Sequence, residues 1–376
     1  MDRLGDKVCC NPTVKLKKGE YYPLIDIEKI APGYKTVRNQ EEIVFNGQSC
    51  TKFEDRDVLF ARITPCLENG KIAMADTNGK CGIGSTELFV FRGIEGISNT
   101  DYVYYLLRMN HIRQLAANSM TGASGRQRAD LNFIKKIKWQ FPVIEQQQKI
   151  ASILTVYDNL IENNNKRIKL LEQMAENLYK EWFVRFRFPN YQNTEFENGI
   201  PKGWKVVKIK KCVKRLAFNR LYKENELEKE GNVIVIDQSA NEYLGFHNNE
   251  PSHYANYETP IILFGDHTCK FKLMCKDFSL GENVVPFCSC DTKFADTYFL
   301  YYAVHKIITT EEYKRHWRRF VTLKILVPLI ELQRKYSKLV VWFEKEKEVL
   351  FKHNLNLIKQ RDMLLPRLMS GKLEVK

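Results

Sequence analysis

The chain of 376 residues repeats itself at an offset of 186 residues. The run PVIEQQQK at residues 142–149 corresponds to PLIELQRK at residues 328–335, and Leu171 corresponds to Leu357. Each run opens a long stretch with helical periodicity. Because two equivalent units present two equivalent surfaces, such a repeat constrains fold and function together. It predicts two mixed, strand-rich segments, each followed by one long helix.

The two helices have a seven-residue pattern. The first is expected from about Glu145 to Trp182, where two apolar rows are interrupted only by Asn164. A buried asparagine lowers the stability of paired helices but selects their register. The second, from about Glu331 to Leu365, keeps one apolar row, and its polar second row predicts either a narrower seam or a drift in the phase of the heptad. Pro189 and Pro366 are expected to end the helices, because proline cannot continue the hydrogen-bond ladder.

The simplest partner for each helix is the other one in the same chain. A single amphipathic helix lying on a globular core remains the alternative. The residues expected to pair the helices are Ile150, Leu154, Tyr157, Ile161, Asn164, Leu171, Leu178, Tyr336, Phe343, Leu350, Leu357 and Leu364.

The segments before the helices are typical of mixed α/β structure. Short β-branched and aromatic runs predict strands, and aromatic runs with helical spacing predict short helices. Strands are expected within residues 57–64, 87–91, 260–268 and 283–287, and short helices at 102–107 and 298–302. The predicted fold class is α+β, with domains over residues 1–142 and 190–327 and long helices over 143–189 and 328–376.

The charge indicates a polyanionic partner. The net charge is +14, and residues 301–376 carry 17 basic and 8 acidic side chains. Basic runs occur in both halves, at residues 135–138, 208–211 and 314–319. Neutralising phosphates releases counterions and supplies most of the non-specific affinity for nucleic acid. Nucleic acid is therefore favoured over a surface that is charged only for solubility.

The sequence argues against a membrane-spanning protein and against a zinc-binding site. No run of about 18 apolar residues and no amino-terminal apolar run are present, so a cytoplasmic protein is expected. The ten cysteines form no C-x-x-C pair. The one candidate zinc cluster, His267 with four cysteines between residues 269 and 290, fits no common spacing, and free thiols are the preferred interpretation.

Several of these runs resemble the specificity subunits of type I restriction–modification enzymes. The segments that carry the resemblance are residues 142–150, 162–165, 171–174, 178–183, 200–204 and 364–372, together with 61–71 in the first unit. They follow the same order as in that family and cover essentially the whole chain.

The resemblance implies two target-recognition domains in tandem and two long helices paired as an antiparallel coiled coil with pseudo-two-fold symmetry. Each domain would recognise one half of a bipartite, asymmetric DNA sequence. The helices would set the spacer between the halves and bind two modification subunits, which methylate adenine with S-adenosylmethionine. Restriction subunits that use ATP and Mg would cleave the DNA. The chain itself would bind no cofactor and no metal and would catalyse nothing.

Known catalytic motifs are absent from the sequence. It has no G-x-x-x-x-G-K-[ST] phosphate loop, no glycine-rich S-adenosylmethionine loop and no Asn-Pro-Pro-aromatic tetrapeptide. Two alternatives stay open: a stand-alone nuclease or methyltransferase with duplicated DNA-binding halves, and a coiled-coil scaffold without nucleic acid. Incubating the chain with DNA, magnesium and S-adenosylmethionine tests the first.

The best candidate for DNA contact is the run 119–128. Glycines there allow a close backbone approach to phosphate, an arginine can bind guanine with two hydrogen bonds, and a glutamine suits adenine. In the second unit the basic run at 314–319 takes the corresponding place. The predicted DNA-binding residues are Arg62, Thr64, Lys71, Ser124, Arg126, Gln127, Arg128, Lys270, Lys272, Lys314 and Arg315.

Overall fold

The computed structural model describes residues 1–122, 126–239, 243–309 and 315–375. The chain divides into two compact units. Unit 1 comprises residues 1–165 and 351–376, and unit 2 comprises residues 166–350. Both boundaries lie within the two long helices, so each unit contains a part of each helix. Within the described residues, none of the helices is long and apolar enough to cross a membrane.

Among the described residues, unit 1 is built from three sheets and several short helices. Its strands are β1 (Asp2–Arg3), β2 (Val8–Cys10), β3 (Tyr21–Ile25), β4 (Thr36–Val37), β5 (Glu42–Val44), β6 (Thr51–Phe53), β7 (Val58–Ala61), β8 (Ile72–Ala75), β9 (Gly82–Gly84), β10 (Leu88–Gly93) and β11 (Lys138–Trp139). Its helices are α1 (Leu4–Lys7), α2 (Thr100–Arg108), α3 (Asn110–Asn118) and α4 (Leu131–Lys136), followed by the shared long helix α5 (Ile144–Tyr179).

Unit 2 has the same plan. Its strands are β12 (Phe196–Glu197), β13 (Ile200–Pro201), β14 (Lys205–Lys208), β15 (Val213–Arg215), β16 (Val233–Ile236), β17 (Gly245–His247), β18 (Ile261–Gly265), β19 (Phe271–Met274), β20 (Phe278–Leu280), β21 (Val284–Ser289) and β22 (Lys324–Val327). Its helices are α6 (Thr297–Val304), α7 (Trp317–Phe320) and the shared long helix α8 (Ile330–Met369). The strands and short helices expected from the sequence are confirmed.

The main sheets of the two units share one strand order. In unit 1 the order is β2-β10-β7-β8-β4, and in unit 2 it is β15-β21-β18-β19. The smaller sheets, β5-β3-β9-β6 and β17-β16-β20, also correspond, because each contains one parallel pair, β3 with β9 and β16 with β20. The repeat seen in the sequence is therefore a repeat of topology.

Two buried glutamines explain why the repeated run is so similar in both units. Gln147 accepts a hydrogen bond from the backbone N–H of Asn99 (3.0 Å) and donates to the carbonyls of Ile97 and Pro142. In the same way Gln333 accepts from the N–H of Asp296 (2.8 Å) and donates to two carbonyls. Asn99 caps the amino end of α2, and Asp296 caps the amino end of α6. Each glutamine therefore ties the start of a long helix to its own unit.

In unit 1 the parts of α5 and α8 pack antiparallel. Asn164 donates to Asn354 (2.9 Å), and one turn and a half earlier on α5 Asp158 pairs with Arg361 (2.5 Å). Asn354 in turn donates to Asn165 (2.8 Å). Asn164 thus lies buried at the helix contact, as the heptad pattern predicts, with its amide satisfied by another amide.

In unit 2 the helix parts also pack antiparallel. The Tyr336 hydroxyl donates to the carbonyl of Ala175 (3.0 Å), and Lys347 Nζ lies 3.0 Å from the Glu172 carboxylate. Lys347 also pairs with buried Glu344 at 3.1 Å. Burial raises the pKa of Glu344, and Lys347 opposes that rise.

The residues predicted to pair the helices are buried or half-buried. Seven are buried, namely Ile150, Leu154, Ile161, Asn164, Tyr336, Phe343 and Leu350. The other five, Tyr157, Leu171, Leu178, Leu357 and Leu364, are half-buried.

Two expectations about the second helix are wrong. Its polar row does not narrow the seam: Asn354 and Arg361 are buried and paired with side chains of α5. Pro366 does not end the helix either, because α8 continues to Met369. Proline has a φ compatible with a helix, and near the carboxyl end its missing N–H removes a single bond of the ladder. The backbone carbonyl of Pro366 still accepts from Ser370 at 3.1 Å.

Candidate nucleic-acid interface

In unit 1 the loop after β7 meets the segment at residues 126–128. Ile63 forms an isolated antiparallel bridge with Arg128, and the N–H of Thr64 donates to the carbonyl of Gln127 at 3.0 Å. On the other side Arg62 accepts from the N–H of Ala129 at 2.8 Å. The fold thus brings Arg62 and Thr64, predicted from one part of the sequence, next to Gln127 and Arg128 from another.

Arg128 is held by an acidic partner. Its guanidinium donates to both carboxylate oxygens of Glu87 at 2.6–3.0 Å, and this hydrogen bond lowers the pKa of Glu87. Its backbone also exchanges two hydrogen bonds with Thr121, at 3.1 and 3.0 Å. Arg128 therefore joins residues 126–128 to residues 121–122 by backbone hydrogen bonds. Its charge is compensated and its position is fixed.

Arg126 and Gln127 immediately precede Arg128. Arg126 is exposed, and among the described residues no carboxylate pairs with it; Gln127 is half-buried. Gly122 has φ +124°, and a Cβ there would lie 3.3 Å from the carbonyl of Arg126. A glycine at this position lets the two segments approach each other. Ser124, predicted as a phosphate donor, lies outside the described residues.

The other candidates in unit 1 have partners within the protein. The guanidinium of half-buried Arg62 stacks over the ring of Phe89 at 4.8 Å, and its Nε is buried with no partner among the described residues. Lys71 donates to the carbonyl of Ile27 at 2.9 Å, and the Thr64 hydroxyl donates to Met120 Sδ at 3.2 Å. Lys71 and Thr64 therefore hold the loop after β7 against its neighbours, which leaves Arg126 as an exposed cation of this group with no carboxylate partner among the described residues.

In unit 2 the candidates gather around the hairpin between β18 and β19. Lys270 is exposed at its tip, and Lys272 Nζ donates to the carbonyl of Asp237 at 3.3 Å. Arg315 is 79% exposed, with its Nε 4.0 Å from the Asp266 carboxylate. Lys314 lies outside the described residues. The fold thus places Lys270 and Arg315 at one end of unit 2.

Two acidic residues that position these groups are missing from the sequence-based prediction. Glu87 holds Arg128, and Asp266 accepts from the N–H groups of His316 and Trp317, both at 2.9 Å. Asp266 thereby ties the segment after Arg315 to the hairpin. Acidic residues would repel DNA if exposed alone, so a prediction based on positive charge alone overlooks them. The available signal is their position at strand ends, next to the basic candidates.

No metal site is evident in the part of the chain that the structure describes, where groups of three or more His, Cys, Asp or Glu side chains do not come together. The ten cysteines have no disulfide partners. Burial raises the pKa of Cys275 to about 12 and that of Cys212 to about 11.

Residues 9–173 match the family model of the type I restriction modification DNA specificity domain. A putative type I restriction enzyme MjaX specificity subunit from Methanocaldococcus jannaschii is 24% identical over 383 aligned positions, which cover 94% of this chain and 85% of that protein. The MjaIX specificity subunit of the same organism is 34% identical over 114 residues. That match covers 29% of this chain and 26% of the relative. Over most of its length the chain is thus similar to specificity subunits of type I restriction enzymes.

A solved structure has the same fold along its whole length. The crystal structure of the type I restriction–modification S subunit from M. genitalium superposes with a TM-score of 0.51 at 16% identity, covering 98% of this chain and 95% of that one. The EcoEI specificity subunit of Escherichia coli is 26% identical, but the match spans only 32% of its length. Because these relatives are specificity subunits, the alternative of a stand-alone nuclease or methyltransferase is not favoured.

Proposed function

We propose that this chain is a specificity subunit that recognises double-stranded DNA, with each unit recognising one half of a bipartite, asymmetric target. The observation that carries the proposal is the arrangement of Arg126, Gln127 and Arg128 beside Thr121. Glu87 fixes Arg128, whereas Arg126 is exposed and has no carboxylate partner among the described residues. An exposed arginine beside Gln127 offers donors and an acceptor that are complementary to the groups that guanine and adenine present in the major groove.

Unit 2 has a different surface at the corresponding place. Lys270 and Arg315 provide exposed positive charge, and residues 240–242 and 310–314 of that region lie outside the described part. Two units with one topology but different side chains suit two different half-sites, which is what an asymmetric target requires.

The long helices are proposed to set the spacer and to dock two modification subunits. In unit 2, Leu339, Trp342 and Val349 expose 45%, 55% and 47% of their surface along α8. In unit 1, Val156 and Leu160 are exposed one turn apart on α5. Exposed apolar residues at helical spacing are typical of protein–protein interfaces.

The chemistry would belong to partner subunits. Modification subunits would transfer a methyl group from S-adenosylmethionine to adenine, and restriction subunits would use ATP and Mg to cleave DNA. In this proposal the chain binds no cofactor and catalyses no step.

Arg126→Ala tests the proposed base contact. A bidentate arginine–guanine contact discriminates between bases by about 1–3 kcal/mol. We therefore expect the variant, assembled with its modification subunits, to relax the sequence preference at one position of one half-site. A selection from randomised DNA measures the preference. Arg38→Ala, which removes an exposed arginine paired with Asp76, is the matched control and should leave the selected sequence unchanged. A uniform loss of affinity with no relaxed position would make Arg126 a phosphate anchor instead.

Trp342→Arg tests the docking surface. A buried aromatic anchor at an interface contributes 2 kcal/mol or more, so we expect affinity for the modification subunits to fall about 30-fold or further. Tyr254→Arg, a change at a side chain that is 65% exposed in the same unit but off the long helices, should have no effect. Co-purification and analytical ultracentrifugation measure the assembly. If the Trp342 variant assembles fully, the part of α8 in unit 2 does not form the interface with the modification subunits.

A further inference from the structure

Unit 1 contains an open cavity that uses none of the residues assigned above to DNA. Its volume is about 400 Å³, within the range of small-molecule sites. The cavity lies between the start of α3, the end of α8 and the turn at residues 69–70. The polar residues that line it are Asn69, Arg108, Asn110, His111, Arg113 and Asp362.

The positive charge in this cavity is not balanced. Arg108 donates to the Tyr104 hydroxyl at 3.0 Å and lies 3.6 Å from the Asp362 carboxylate. Arg113 has no carboxylate within ion-pair distance among the described residues. Its Nη2 donates a long hydrogen bond to Asn110 Oδ1 at 3.5 Å. Asp362 is also the partner of Arg361 at 2.9 Å, so one carboxylate serves two guanidinium groups.

Arg113 is fixed in place although it lacks an anion. Its Nε is buried and has no hydrogen-bond partner within the described residues. A Cβ at Gly70 would lie 2.5 Å from Arg113 Nη1, so the glycine leaves the space that the guanidinium occupies. Burial and the nearby charge of Arg108 lower the pKa of Arg113. An anion in the cavity would remove the cost of both the unpaired Nε and the repulsion between the arginines.

The start of α3 adds backbone donors to the same wall. Asn110 and His111 are its first two residues, and its first intrahelical bond runs from the N–H of Arg113 to the carbonyl of Met109 at 3.0 Å. The N–H groups before Arg113 therefore have no acceptor within the helix, and the helix dipole favours negative charge there. The first turn of α3 contains no acidic side chain that could supply the negative charge itself.

We propose that this cavity binds a phosphate group, held by the guanidinium of Arg113 and the amino end of α3. A tetrahedral, multiply charged oxyanion matches a forked guanidinium beside backbone N–H groups better than a single carboxylate does. The phosphate can belong to a small molecule, such as a nucleotide, or to the backbone of a DNA duplex. The site goes beyond the proposed function, because base recognition by Arg126 does not require it.

The test is calorimetric titration of the full chain with pyrophosphate, with ADP and with a non-specific 20-base-pair duplex. We expect at least one of these probes to bind the native chain. Arg113→Gln should weaken that probe at least tenfold, whereas Arg38→Gln, which removes an exposed arginine of the same unit, should not. Weakening of pyrophosphate or ADP identifies a small-molecule site, and weakening of the duplex alone identifies a backbone contact.

A second variant separates the site from the fold. His111→Asp places a negative charge at the exposed second position of α3, where an acidic residue stabilises a helix. We expect its thermal stability to be maintained or raised, while binding of the phosphate probe falls by the same tenfold or more. If neither Arg113→Gln nor His111→Asp weakens any probe, the proposal is overturned. Retained recognition of the specific target in these variants would leave the proposed function intact.

Discussion

Arg361→Ala is expected to destabilise unit 1 by about 3–5 kcal/mol, the typical effect of breaking a buried ion pair from one side. Arg361 is fully buried, and its Nη1 donates to Asp158 at 2.5 Å and to the carbonyl of Gly33 at 3.2 Å. Asp158 also accepts from the Tyr105 hydroxyl. Removing the guanidinium leaves a carboxylate without a cation in the core of the helix pair.

Hydrogen exchange is the appropriate measurement, because a two-unit chain need not unfold in one step. Protection should fall in residues 1–165 and stay unchanged in residues 166–350. Arg367→Ala, a change at an exposed arginine on the same helix, is the control. The double variant Asp158→Leu with Arg361→Met should recover much of the loss, since apolar replacement of a buried pair is often neutral. An Arg361→Ala protein as stable as the control would contradict this account.

A second large effect is expected from inserting four residues into each long helix, after Asn165 in α5 and before Asn354 in α8. The insertion lengthens the helix pair by about 6 Å, close to two base pairs at about 3.4 Å each. It rotates the helix by about 40°, against about 70° for two base pairs of duplex, so both recognition surfaces should still face the DNA. The target of the assembled complex should gain about two base pairs of spacer and keep both half-sites.

Both helices have to change together. An insertion in α5 alone shifts Asp158 relative to Arg361 or Glu172 relative to Lys347, so it should destabilise the pair instead of extending it. An insertion of four residues changes the supercoil of a coiled coil only locally. We therefore expect the helix pair to tolerate the paired insertion. Mapping of methylated adenines measures half-sites and spacer separately. If the half-sites changed and the spacer did not, the helices would not be the elements that set the spacer length.

The repeat and the local patterns were enough to predict the strands, the short helices and the two long helices. These features depend on neighbouring residues, as in the continuous apolar runs of β7 and β18 and the heptads of α5. The role of Gln147 and Gln333 was not predicted, although their match was visible. A hydrogen bond to a helix cap 48 or 37 residues away leaves no periodic signal in the sequence.

The polar row of α8 was misjudged for the same physical reason. Arg361 and Asp158 are 203 residues apart, so nothing local indicates that each neutralises the other. At the candidate site, the positive charge of Arg126 and Lys270 was recognisable from composition. The ion pairs of Glu87 with Arg128 and of Asp266 with Arg315 depend on tertiary contacts. They determine which of the neighbouring arginines have a carboxylate partner within the described residues.

The polar pairs of the helices also bear on self-association. A chain with two equivalent helices can in principle exchange them, so that α5 of one copy pairs with α5 of another. At the repeat offset, Ala175 corresponds to Arg361 and Ile161 corresponds to Lys347. In such an exchanged dimer Asp158 would face Ala175 and Glu172 would face Ile161, and both carboxylates would lose their cations. The charged pairs therefore favour pairing of α5 with α8, and they penalise dimers in which like helices pair, which the internal symmetry of the chain would otherwise permit.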